Sequence, residues 1–254
     1  MFEHDGFHPG AYNMRYDEWL AREVAEEHRP STVRVFGWNP PAISLGWNQP
    51  AEEIDTQAAA RAGIDVVRRP TGGRAILHSE ELTYSVVMPA DERNVATVYR
   101  EISHALVCGL EKLGVHASLE QSQPHFPSLY ASHSGAVCFS SSARSEIKVN
   151  GRKLVGSAQR RFFFSGKEIV LQHGSILLGP GHRRIVRFLQ LDSEEQRRSL
   201  AKELEQKTTD LYSLLGYQPA FDEVPEAIRR GFEDAWGISF ESIQTPIHQQ
   251  VIPR

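Results

Sequence analysis

The stretch "SEIKVNGRKLVGSAQRR", residues 145–161, decides how the chain folds. Asn150-Gly151 between two short runs of strand-forming residues is the strongest local hairpin signal, because both central residues of such a turn take positive φ. Two antiparallel strands follow, and the turn sets Lys153 near the start of the returning one. Gly156, Ser157 and Ala158 come next on that strand, and side chains this small leave room for a ligand or another backbone to lie close.

Working outward, more strands flank the hairpin. Downstream, "IVLQHGSILL" (169–178) reads as a strand pair or as one strand with a glycine bend. Upstream, "RRPTGGRAILHSEELTYSVV" (68–87) delivers Arg68 and Arg69 to a Gly72-Gly73 bend and leaves through Ala75 to His78 into a run rich in Thr, Tyr and Val. Glycine backbone there permits close approach, and Arg68, Arg69 and Arg74 surround it with charge, which suits an anionic or carboxylate-like group. "STVRVFGW" and "AISLGW" are further strands separated by Asn39-Pro40-Pro41, and "IDVVRR" is another.

Helices frame these strands. "AYNMRYDEWLAREVAEE" (11–27) has a helical apolar period. The clearest helix is 94–114, with Asn94 as cap, Val98, Ile102, Ala105, Leu106, Leu110 and Leu113 at helical spacing, and Gly114 as stop. From about Asp192 the pattern is helical again, at 193–216 and 224–237. The expectation is an α+β fold: a catalytic domain over residues 1–190 and a helical C-terminal segment over 191–254 that packs on it or extends it.

Composition excludes several classes. The 254 residues carry 28 Lys and Arg against 32 Asp and Glu, a net charge of −4, which argues against general nucleic-acid binding. Basic residues cluster only locally, around 68–74, 144–161 and 182–187. Two cysteines are too few and too far apart for a disulfide framework or a zinc site. No basic-then-apolar leader and no long apolar run occur, so the expected setting is the reducing cytoplasm, with no membrane partner.

The two cysteines differ in context. Cys108 lies in the apolar period of the 94–114 helix and reads as a small packing residue, whereas Cys138 sits in "GAVCFSSS", a non-periodic loop of small and polar residues. A thiolate there, near Arg144 and Lys153, would have a lowered pKa and be a nucleophile at neutral pH.

"RRPTGGRAILH", "KVNGRKLVGSAQRR" and "LQHGSILL", in this order, together resemble the lipoate-protein ligase and octanoyltransferase family, which shares its fold with biotin protein ligase catalytic domains. "YNMRYDEWL" and "VRVFGWNPPAISLGWNQ" resemble the family's opening helix and first strands, so the resemblance spans about residues 10 to 190. Ser79 stands where many members have aspartate, and "SSSAR" replaces a more usual acidic, proline-containing loop.

The resemblance implies a biotin/lipoate protein ligase-like catalytic domain of mixed sheets packed with helices. Cys138, 15 positions before Lys153, matches the cysteine-dependent octanoyltransferases, which take octanoate from acyl carrier protein to the glycine cleavage H protein or lipoyl domains. It implies Cys138 and Lys153 as catalytic residues. It places Arg69, Gly72, Gly73, His78, Gly156, Ser157, Ala158 and His173 around the acyl group, with His78 and His173 as candidate bases. No metal or cofactor is expected. The alternatives are an ATP- and Mg-dependent lipoate-protein ligase and a non-catalytic protein that binds lipoyl domains or an acyl ligand.

Overall fold

The computed structural model describes residues 1–120, 146–220 and 222–241. In chain order, β1 (Phe2–His8), α1 (Gly10–Ala25), β2 (Thr32–Trp38) and β3 (Ala42–Leu45) lead to α2 (Thr56–Arg61), β4 (Asp65–Arg68), β5 (Ile76–His78) and β6 (Glu81–Pro89). Then come α3 (Val95–Lys112), β7 (Ser118–Glu120), β8 (Glu146–Val149), β9 (Arg152–Phe164) and β10 (Lys167–Leu177). A 3₁₀ segment (Pro180–Phe188), α4 (Glu194–Lys207), α5 (Leu211–Leu215) and α6 (Glu223–Trp236) complete the described chain.

Among the described residues the larger sheet runs β1-β2-β6-β10-β9-β8-β7, with β1 and β2 parallel and the other pairs antiparallel. A smaller sheet has the order β4-β3-β5. Both sheets packed with helices make this an α+β fold, as the strand and helix patterns predict. The Asn150-Gly151 turn has φ of 51° and 75° at its two residues, the double positive value that a two-residue hairpin needs. Residues 169–178 resolve to a single strand, β10, whose Gly174 does not break the ladder.

Each face of the larger sheet buries one apolar helix stripe. Tyr16, Leu20, Ala21 and Val24 of α1 pack with Val87, Ile169 and Leu171. On α3, Val98, Ile102, Leu106 and Leu110 join the main core, which also holds Leu200 and Leu204 of α4 and Ile228 and Phe232 of α6. Asn94 caps α3 by accepting from Thr97 N at 2.9 Å. Cys108 is only half-buried, because its position falls at the margin of that stripe.

β1, α2, β7 and the 3₁₀ segment escape the sequence patterns, and the helical run read over 193–216 is two helices, α4 and α5, separated at residues 208–210. β1 has no clean alternation, and it forms because its backbone pairs in parallel with β2, a partner distant in sequence. α2 is shorter than two turns and is anchored by Asp55, whose side chain accepts from Ala58 N.

Candidate functional site

Between the two sheets lies a pocket whose described lining combines Met14, Trp38 and Ile76 with Ser44, Arg69, His78, Thr83, His173 and Ser175. Gly156, Ser157 and Ala158 of β9, with Gly174 of β10, form one wall. Small residues are required there: a Cβ at Gly174 would sit 2.3 Å from the Gly156 carbonyl oxygen and 2.8 Å from a ring carbon of Tyr84. Of the sequence candidates, Arg69, His78, Gly156, Ser157, Ala158 and His173 come together on this pocket, while Gly72, Gly73 and Lys153 are not among its lining residues. Cys138 and Arg144 lie outside the described residues.

The arginines of the opening bend are engaged by the protein itself. Buried Arg69 donates to the carbonyls of Ser44, Gly72 and Arg74, each at 2.8 Å. Arg68 donates to the carbonyls of Gly46, Trp47 and Gln49, and Arg74 pairs with Glu53 at 3.1 Å. These cations therefore hold the shape of the bend. Gly73 has φ of 94°. The closest approach in the bend involves Gly46, where a Cβ would lie 1.9 Å from the Gly73 carbonyl oxygen.

Lys153 is buried, and its ammonium donates to Glu146 Oε1 at 2.6 Å, with Lys148 3.9 Å from the other oxygen of the same carboxylate. The carbonyl of Lys153 accepts from Thr209 N, which ties β9 to the chain just after α4.

The two pocket histidines each sit in a hydroxyl–imidazole–carboxylate chain. His78 stacks on Trp38 with ring centroids 3.9 Å apart. Its Nε2 is 2.8 Å from Ser44 Oγ and its Nδ1 is 3.3 Å from Glu81 Oε1. Ser44 Oγ also accepts from Arg69 at 3.1 Å. Burial, only partly offset by Glu81, pulls the His78 pKa down. His173 Nε2 lies 2.6 Å from Thr71 Oγ1, and its Nδ1 is 3.1 Å from Asp17 Oδ2. Asp17 is itself buried and accepts from Arg34 and Ser85, each at 2.9 Å. Burial alone would raise its pKa, but the bonds from His173, Arg34 and Ser85 outweigh that and hold it below the usual value.

Sequence reasoning did not single out Asp17, Arg34, Ser44, Thr71, Glu81 or Glu146. A signal existed for the first two. Asp17 stands three residues from both Met14 and Leu20 on the buried stripe of α1, and Arg34 interrupts a strand that is buried at every position.

The sequence pattern of the lipoyl protein ligase A/B catalytic domain matches residues 9–233. The chain belongs to that family. Its relatives within the ligase A/B family include the octanoyltransferase LipM of Kyrpidia tusciae, 39% identical over 243 residues and covering 94% of this chain and 87% of the relative. The octanoyltransferase LipM of Bacillus subtilis is 35% identical over 238 residues, covering 91% and 84% respectively. Among solved structures, the bi-partite lipoate protein ligase of Thermoplasma acidophilum, described with its E2 lipoyl domain, superposes with a TM-score of 0.71. It is 22% identical, covering 96% of this chain and 87% of the other. A lipoate-protein ligase A bound with ATP gives the same TM-score and identity over 95% and 88%. At that identity the structural likeness establishes the shared ligase A/B fold.

Proposed function

We propose that this chain is an octanoyltransferase of protein lipoylation. It takes an octanoyl group from octanoyl-acyl carrier protein as a Cys138 thioester and passes it to a lysine of the glycine cleavage H protein or a lipoyl domain, in the reducing cytoplasm. The observation that carries the reading is relatedness over about nine-tenths of the chain to proteins named octanoyltransferase. The pocket suits it, since Met14, Trp38 and Ile76 offer apolar contact while the small residues of β9 leave space beside the backbone.

In the first half-reaction the Cys138 thiolate attacks the donor thioester, the bond to the carrier sulfur breaks, and an acyl-enzyme thioester remains. In the second, the acceptor amine attacks the same carbonyl and Cys138 leaves. Thioester exchange is nearly isoenergetic and thioester to amide is downhill, so the reaction needs neither ATP nor Mg. Lys153 orients the acyl carbonyl and stabilises charge developing on its oxygen. Glu146 fixes the direction of that ammonium, whose three hydrogens let it bridge more than one acceptor.

The test is transfer from octanoyl-acyl carrier protein to a lipoyl domain with and without ATP and Mg, followed by intact mass. Wild type should gain a hydroxylamine-labile octanoyl adduct and transfer it without nucleotide, and Cys138→Ala should do neither. Strict ATP dependence with free octanoate or lipoate as donor would make the chain a ligase. Undiminished transfer by Cys138→Ala would refute the thioester route.

A further inference from the structure

Trp47 keeps 50% of its surface in solvent, yet the loop that carries it is held from several sides. Its amide donates to the Thr71 carbonyl at 2.9 Å, and its own carbonyl accepts from Arg68 at 2.9 Å. The guanidinium of Arg160 lies 4.5 Å from the centre of the indole and donates to the Pro70 carbonyl at 2.7 Å. Phe162 flanks the same guanidinium at 4.9 Å. A large ring that is ordered and still wet loses little further freedom when a partner covers it, which is what an interface anchor needs.

The charge around this ring is one-sided. Arg68 makes its three bonds, to the carbonyls of Gly46, Trp47 and Gln49, through Nη1 alone. Arg160 makes its one bond through Nη1 as well. Among the described residues, Nε and Nη2 of both side chains have no hydrogen-bond partner, and neither arginine is paired with a carboxylate. Arg68 is exposed and Arg160 is half-buried. Carbonyls satisfy donors without cancelling their charge, and Glu53 of the adjoining 3₁₀ turn pairs with Arg74 instead. Two uncompensated cations beside an exposed indole stand out on a chain whose net charge is −4. Trp and Arg are the residue types that carry binding energy at protein interfaces, and two positive charges select a partner whose facing surface is acidic.

Trp47, Arg68 and Arg160 are not among the pocket's lining residues, but each adjoins one that is, or a residue bonded to it. Arg160 follows the wall residue Ala158 by two positions on β9, and Arg68 immediately precedes Arg69. Trp47 is bonded to Thr71, whose hydroxyl meets His173. A partner held here sits beside the pocket, not on it. That offset suits an acyl group delivered on a long pantetheine arm, whereas a lysine side chain is short and needs its own domain placed directly on the pocket. We propose that Trp47, flanked by Arg68 and Arg160, is the anchor on which the acidic surface of the acyl donor, an acyl carrier protein, docks while its arm reaches the pocket. The inference rests on octanoyl-acyl carrier protein being the donor.

Binding is measured by titration calorimetry of the full chain with octanoyl-acyl carrier protein in which an amide replaces the thioester, so that no chemistry intervenes. Wild type should bind, and added salt should weaken the complex by screening its exposed charges. Trp47→Ala should lose about tenfold or more in affinity. Trp47→Phe, which keeps a ring for Arg160 to cover, should lose less, and Trp47→Glu, which repels an acidic surface, should lose most. Tyr212→Ala removes an aromatic of similar exposure, 53%, and should bind as wild type does. Transfer from octanoyl-pantetheine, which has the arm's thioester and no carrier body, should be the same in wild type and Trp47→Ala. Equal affinity of these two for the carrier, or an equal loss in Tyr212→Ala, would remove Trp47 as the anchor. Lost transfer from octanoyl-pantetheine in Trp47→Ala would overturn docking in favour of an effect on the pocket. A lipoyl domain that loses affinity for Trp47→Ala while the carrier does not would overturn the donor assignment. If wild type transfers octanoate from neither donor, the transferase reading fails, and the titration still decides whether an acidic carrier docks at Trp47.

Discussion

Replacing Gly46 by alanine should unlock the bend that carries Thr71. The new Cβ would stand 1.9 Å from the Gly73 carbonyl oxygen, so that oxygen must retreat by about 1.5 Å to reach the 3.4 Å of an ordinary contact. It cannot do so alone. The carbonyls on either side of it, of Gly72 and Arg74, each accept from Arg69 at 2.8 Å, and Thr71 O accepts from Trp47 N at 2.9 Å. Hydrogen bonds to a charged donor contribute about 1.5–3 kcal/mol each, so losing one or two of them costs about 3 kcal/mol after the small entropic gain of Gly→Ala. In a domain of this size that is a fall in Tm of about 6–12 °C. Gly72→Ala is the matched control, because a Cβ there meets nothing within 4 Å and the residue has no positive φ. Its effect should stay within about 0.5 kcal/mol. Urea unfolding at constant m-value measures both variants. If Gly46→Ala melts with wild type, or if Gly72→Ala is equally damaging, the close approach of these two loops does not hold the bend.

Lys153→Ala should cost stability as well as activity, because it removes the ammonium that donates to the buried Glu146 carboxylate. Lys153→Met combined with Glu146→Gln should recover most of the Tm and none of the acylation rate, and recovery of both would remove Lys153 from the chemistry. Stability should also fall as the pH drops from 6.5 to about 4. Burial, reinforced by Arg183, brings His182 down to about 4, so over that window the unfolded chain binds a proton that the folded chain refuses. The loss is about 3 kcal/mol and levels off below the folded value. His182→Gln should flatten this part of the Tm–pH curve, and an unchanged slope would place the acid sensitivity elsewhere.

Much of the fold is legible along the chain. The Asn150-Gly151 turn, the Asn94 cap and the 3.6-residue period of α3 are local signals, since a turn or a helix stripe is set by residues within a few positions of each other. β1 is not legible, because a parallel edge strand is specified by its partner and its own side chains need no alternation. The glycines show the same division. The Gly72-Gly73 pair marks a bend in the sequence, but the glycine that admits no side chain is Gly46, which reaches the bend from another strand end.

The sequence by itself determined the strand and helix inventory of the core, the hairpin that carries Lys153, and the small-residue wall of Gly156, Ser157 and Ala158. It also held the motifs that mark the family. Tertiary structure alone decided what the charged and polar groups do. Arg69 is a clamp on carbonyls, Lys153 is paired with Glu146, and His173 is tied to Asp17, a residue 156 positions away. The physical reason is range. Hydrophobic periodicity is read between neighbours on one element, whereas a buried charge is defined by whichever partner the folded chain brings within hydrogen-bonding distance, and nothing in the local sequence names that partner.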